Sequence, residues 1–204
     1  MEAAPNIEAV VQFGDGDSIR EIPAARLAIW LFLASEIMVF GGLMSCFMLL
    51  RIAHGGWDAE AAHVHWRIGA FNTLVLLTSS LTMALACTSA KERKRGTARR
   101  LRTYLGFTIV LGLTFLGVKA CEYSLEFAKG FTPGAGLFWA FYYTLTGLHS
   151  LHVLAGIILN TTLWIAAARA DLVPVVQRRI EYAGLYWHFV DVVWIFLFPL
   201  VYLT

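Results

Sequence analysis

EYAGLYWHFVDVVWIFLFPLVYLT, residues Glu181 to Thr204, is apolar enough to cross a lipid bilayer and yet carries two ionisable side chains in its first half. Tyr182 to Leu203 gives about 22 residues, enough at a rise of about 1.5 Å each for a hydrocarbon core about 30 Å thick. His188 and Asp191 lie three apart, so on a helix they share a face. An ionisable group near mid-membrane costs about 2.5–3.5 kcal/mol on insertion scales, so both are expected to point into a bundle where partners exist.

The whole chain has the same character. Hydrophobic residues make up 58% and charged residues 15% of 204 positions, and the mean hydropathy is +0.65. This composition excludes an ordinary soluble domain and predicts an all-α, polytopic membrane protein. Met1 to about Ala24 is polar, with a Gly14-Asp15-Gly16 turn and no basic-then-apolar pattern of a cleaved signal peptide, and reads as an N-terminal tail. Cys46, Cys87 and Cys121 are odd in number, far apart and set in apolar runs. They read as core or lipid-facing residues and not as disulfides or metal ligands.

Working upstream from the last span, four more emerge, at about 137–168, 103–127, 66–90 and 25–50. KERKRGTARRLR, Lys91 to Arg102, sets seven basic residues against one acid between two spans. It predicts a cytoplasmic loop, and its setting excludes a nucleic-acid patch. Arg169, Arg178 and Arg179 mark the loop before the last span as cytoplasmic too. Five helices follow, with the N-terminus inside and the C-terminus outside. The segment 52–65, with His54, Gly55-Gly56, Asp58, Glu60, His63 and His65, reads as a solvated turn on the opposite side. Asn72, Thr73, Thr78, Ser79 and Ser80 offer small polar groups for bonds across helices, and Gly106, Gly112 and Gly117 suit close packing.

Depth selects the candidate functional residues. Counted from the cytoplasmic ends, Glu36, His152 and Asp191 fall about 14–24 Å in, with His149 one turn further. The expectation is a mid-membrane cluster in which Glu36 pairs with His149 or His152, and Asp191 with His188 or a neighbouring backbone group. Lys119, Glu122 and Glu126 share a helical face and are expected to form a structural ion pair at the outer interface. Three roles are open to the cluster: stitching helices together, holding a proton at Glu36, or ligating a metal or haem. Metal ligation is the weakest, because His149 and His152 come from one helix and no CxxCH, HExxH or paired cysteine is present. A proton-coupled transporter is a further class, disfavoured by five unrepeated spans.

The run Tyr186 to Trp194, YWHFVDVVW, resembles the C-terminal signature of subunit III of the haem-copper respiratory oxidases. Ser35-Glu36 resembles that family's buried acidic motif. Asn72-Thr73 and Ser79-Ser80 resemble its next helix, and Glu122-Tyr123 its mid-chain pair. Gly147 to Val153, GLHSLHV, resembles its Gly-x-His-x-x-His-Val element, and Glu181 adds to the ending. The resemblance covers nearly the whole chain after residue 25.

What the resemblance implies is a five- or seven-helix accessory subunit in the bacterial inner membrane. It would bind no metal or other cofactor of its own and dock on catalytic subunit I, beside subunit II and, in some complexes, subunit IV. Haem and copper would reside in those partners. The family's subunit is expected to hold phospholipid in a cleft, sustain proton uptake into subunit I and protect its active site, with Glu36 as a carbodiimide-sensitive type of carboxyl. Cytochrome c is the expected electron donor, with quinol oxidase and nitric oxide reductase versions as alternatives. This sequence lacks the two N-terminal helices of the longer form, which another subunit supplies in some complexes.

Overall fold

The computed structural model describes residues 24–61, 63–92, 96–169 and 172–203. The N-terminal tail read over the first 24 residues therefore lies outside the described residues but for Ala24, and so do Arg93 to Arg95. Six helices follow one another: α1 Ala24–Ala53, α2 Asp58–Ala61, α3 Trp66–Lys91, α4 Thr97–Ala128, α5 Leu137–Ala166 and α6 Val173–Tyr202. The described residues contain no strand. Five of these helices are long and apolar enough to cross a membrane, α2 being the exception. The protein is all-α, with five candidate spans.

α3, α4, α5 and α6 close a ring in which α3 touches α4 and α6, and α5 touches α4 and α6. α1 stands outside this ring and leans mainly on α6 and α5. Half of α6's most apolar window is buried, against 11% for α1. Leu27, Leu31, Ile37, Met38, Leu49 and Ile52 of α1 remain exposed, an apolar surface suited to lipid or a partner.

Three aromatic residues of α6 hold the ring in three layers. At one end Trp187 donates its Nε1–H to Ser79 Oγ on α3 at 3.1 Å. Its ring fills a slot between Gly112 of α4 and Gly156 of α5, where an added Cβ would come within 2.9 and 2.7 Å of the indole. Those two helices approach α6 closely because neither glycine has a side chain. One heptad on, Trp194 donates to Thr73 Oγ1 at 3.0 Å and packs edge-on to Phe115 at 4.9 Å. At the far end Tyr202 reaches the charged pair of α4. Of the other glycines read as packing positions, Gly117 faces open space and Gly106 faces Trp164 Nε1.

The helices differ from the expected spans at their ends. α6 begins at Val173 and not near Tyr182, with a proline in its first turn, and α4 begins at Thr97 and not at Thr103. Hydropathy marks where a helix becomes apolar, whereas the hydrogen-bond ladder continues beyond that edge. The segment 52–65 is also not simply a solvated turn. Gly55 and Gly56 take positive φ and reverse the chain, but α2 folds Trp57, Ala61 and Val64 back into the core. The Trp57 ring packs on Phe47 at 4.7 Å and Phe138 at 5.9 Å.

Candidate functional site

Two polar clusters stand out inside the apolar bundle. The first is centred on α4. Lys119 and Glu122 are one helical turn apart, and Lys119 Nζ donates to Glu122 Oε2 at 3.0 Å. Tyr142 of α5 and Tyr202 of α6 donate their hydroxyls to Glu122 Oε1, each at 2.9 Å. The ammonium also donates to those hydroxyl oxygens, at 2.6 Å for Tyr202 and 3.3 Å for Tyr142. The rings of Tyr123, Tyr142, Trp194 and Tyr202 surround it at 4.8–5.7 Å, close enough for cation–π attraction. Every donor of the ammonium and both carboxylate oxygens are engaged, with side-chain exposures of 2% and 1%.

Glu126, expected in the same ion pair, is placed elsewhere. Its Oε1 accepts from Lys129 Nζ at 3.0 Å, and Lys129 also meets His65 Nε2 at 3.1 Å. The reason is distance along the helix. Glu126 lies seven residues, about 10 Å, from Lys119, whereas Lys129 is one turn away.

The second cluster lies where α1 meets α5 and α6. Glu36 Oε2 is 3.1 Å from His152 Nε2, with side chains 16% and 15% exposed. His152 Nδ1 is 2.9 Å from Leu148 O, and a carbonyl only accepts, so the hydrogen-bond network assigns the Nδ1 proton to that bond. In a neutral ring Nε2 is then an acceptor. The 3.1 Å approach of Nε2 and Oε2 is an ion-pair distance, and a proton held between the two side chains can sit on either. Tyr186 donates its hydroxyl to His152 O at 3.0 Å, and Phe40 lies against the imidazole at 5.3 Å.

The remaining candidates do not join this pair. His149 points into the ring, fully buried between Phe115 and Trp194, with neither nitrogen hydrogen-bonded. His188 and Asp191 do not pair with each other. His188 Nδ1 bonds Ser80 Oγ of α3 at 2.7 Å, while the Asp191 oxygens have no hydrogen-bond partner. In both cases two residues three apart on a helix differ in direction by about 60°, enough to send one side chain inward and the other to a neighbouring helix. Among the described residues no three His, Cys, Asp or Glu side chains converge as a metal site. Tyr142, Tyr202 and Trp187 are structural members that sequence reading missed. Trp187 and Tyr202 have one signal, the recurrence of a large aromatic residue on the inner face of α6 at 187, 194 and 202; Tyr142, on α5, has none of this kind.

A cleft of about 920 Å³ opens beside the second cluster, walled by Ile29 and Phe32 of α1 and Leu159 and Leu163 of α5, with Arg178 and Arg179 of α6 in its lining.

A five-span helical subunit with buried polar pairs and an open flank is the class this architecture defines. The family model for cytochrome c oxidase subunit III matches residues 16–204. Cytochrome c oxidase subunit 3 of Bacillus subtilis (strain 168) is 37% identical over 180 residues, 87% of this chain and 84% of that protein. The protein of the same name from Thermostichus vulcanus is 33% identical over 189 residues, 92% of this chain and 91% of its own length. Quinol oxidase subunit 3 of Bacillus spizizenii (strain ATCC 23059 / NRRL B-14472 / W23) is 34% identical over 179 residues, covering 87% and 85%. The chain belongs to the cytochrome c oxidase subunit III family. It is an integral multi-pass membrane protein and an accessory subunit of an oxidoreductase complex, associated with other oxidase subunits.

Proposed function

We propose that this chain serves a bacterial inner-membrane cytochrome c oxidase, packing on subunit I beside subunit II and, in some complexes, subunit IV. Haem and copper belong to those partners, and this chain holds neither. The observation that carries the reading is the Glu36–His152 pair. It is a one-proton site on the open flank of the bundle, placed to pass or buffer a proton at membrane depth, and so supports proton uptake by subunit I. The neighbouring cleft holds phospholipid, its acyl chains on the α1 and α5 walls and its phosphate at Arg178 and Arg179. Lys91, Arg99, Arg100 and Arg102 lie at the same end of the bundle as Arg178 and Arg179. The positive-inside rule makes that end cytoplasmic, which puts the N-terminus inside and the C-terminus outside.

A quinol oxidase is the second reading, favoured by relatives of that name at 34% identity. Gentle detergent purification from native membranes, with reduced-minus-oxidised spectra and identification of the co-purifying chains, tests both. A partner with a two-copper centre assigns cytochrome c as donor, and a partner without one assigns quinol. A chain that emerges colourless and alone would overturn the proposal.

A further inference from the structure

A third site lies away from both clusters, where the start of α4 meets the end of α5. An open notch of about 490 Å³ is floored by Gly106 and small alanines and edged by Arg99, Arg102 and Trp164. No acid lines it. The Arg102 guanidinium lies 5.0 Å from the Trp164 ring centroid, and its Nε is buried without a hydrogen-bond partner. Nearby basic residues differ: Lys91 pairs with Glu181 at 3.2 Å and Arg100 with Glu92 at 3.7 Å. Arg99 and Arg102 have no carboxylate partner among the described residues. Thr103 has its proton committed to Arg99 O at 3.0 Å. The Trp164 indole N–H faces Gly106, where a Cβ would stand 3.5 Å away, and has no hydrogen-bond acceptor among the described residues.

We infer that the α4–α5 notch binds a phosphate group through the guanidinium groups of Arg99 and Arg102 and the indole N–H of Trp164. The Trp164 ring holds the Arg102 guanidinium within cation–π range, and the terminal N–H groups of a guanidinium form a fork that matches two oxygens of a tetrahedral anion. Donors without acceptors, on a floor of small residues, make a seat for an oxyanion. The phosphate has two sources, the headgroup of an anionic lipid entering sideways or a soluble phosphorylated molecule arriving from the water.

The test uses the purified, delipidated oxidase complex carrying Arg178→Gln and Arg179→Gln, so that the cleft beside α1 does not contribute. Dioctanoyl phosphatidylglycerol and inorganic phosphate are titrated separately and in competition, with bound copies counted by native mass spectrometry. Adding Arg99→Gln and Arg102→Gln is expected to weaken binding at least about tenfold. Trp164→Phe, which keeps an aromatic ring and removes the N–H, is expected to weaken it about two- to tenfold. Arg102→Lys keeps the charge without the planar fork and gives a second readout should the double variant fail to assemble, with a loss expected here too. Phosphatidylglycerol binding that saturating phosphate does not displace assigns the lipid source, and full displacement by phosphate assigns the soluble one. Equal binding of both probes by the parent complex, the Trp164→Phe variant and the Arg102→Lys variant overturns the inference.

Discussion

Glu122 and Glu36 each meet a cationic or potentially cationic partner on the spanning helices, and their surroundings differ. Glu122 sits in a closed shell, with Lys119 and two tyrosine hydroxyls on its oxygens, four aromatic rings around the ammonium, and 1% exposure. Glu36 has one contact, to His152 at 3.1 Å, and both side chains remain about one-sixth exposed. A fully satisfied network in a low dielectric fixes one arrangement, because any rearrangement leaves a buried charge unpaired. A single carboxyl–imidazole contact at an open seam has two proton placements and a path outward. The first cluster ties three helices together; the second is the one for which a proton-holding role is proposed.

The largest effect is expected from breaking the closed shell. Glu122→Gln or Lys119→Met strands the other member of the pair in the bundle and should destabilise the chain by about 3–5 kcal/mol. The readout is the thermal midpoint of the detergent-solubilised complex and retention of this chain in it. Replacing both as Lys119→Met with Glu122→Leu should cost less than the sum, because neither charge is then stranded. Tyr202→Phe removes one hydroxyl shared by both charges and should cost about 1.5–3 kcal/mol in the same assay. Next comes Gly156→Ala, which drives a methyl into the Trp187 indole and should cost about 1–3 kcal/mol as an overpacking change. Gly117→Ala is its control. Gly117 faces open space, so the same change there should be neutral or stabilise by up to about 1 kcal/mol through helix propensity. Equal loss at both glycines would remove the Trp187 slot as the explanation.

The contrast between the two clusters was only partly legible in the sequence. Hydropathy gives five spans, and three-residue spacing alone brings Lys119 to Glu122. Nothing local announces that Tyr142 and Tyr202, from two other helices, complete the shell, because that depends on the register in which α4, α5 and α6 pack. The same limit applies to Trp187: Gly112 and Gly156 have meaning only once three helices are assembled around one indole. His149 and His152 are equivalent by spacing, and only the position of α1 outside the ring separates the inward residue from the one that meets Glu36. Helix ends were misplaced because the apolar stretch and the hydrogen-bonded helix have different boundaries. Pro174, in the first turn of α6, was an available sign of the earlier start.

The smallest effect on stability, and the one that separates the clusters most sharply, is expected at Glu36. Glu36→Gln keeps a donor for His152 Nε2 in its amide N–H, so the contact survives while the exchangeable proton between the two side chains is fixed in place. A part-exposed pair contributes on the order of 1 kcal/mol or less, so assembly and the thermal midpoint should barely change. Reactivity should change fully. A hydrophobic carbodiimide adds to a carboxyl that it can reach and that supplies a proton, a description that fits Glu36 and not the enclosed Glu122. Labelling of this chain, mapped by peptide mass spectrometry, should therefore be lost in Glu36→Gln and retained in Tyr202→Phe, where the closed shell is weakened but the carboxyl at the seam is untouched. If Glu36→Gln instead destabilised the chain as much as Glu122→Gln, or left the labelling unchanged, both pairs would be structural and the proton-holding role of the open one would fall.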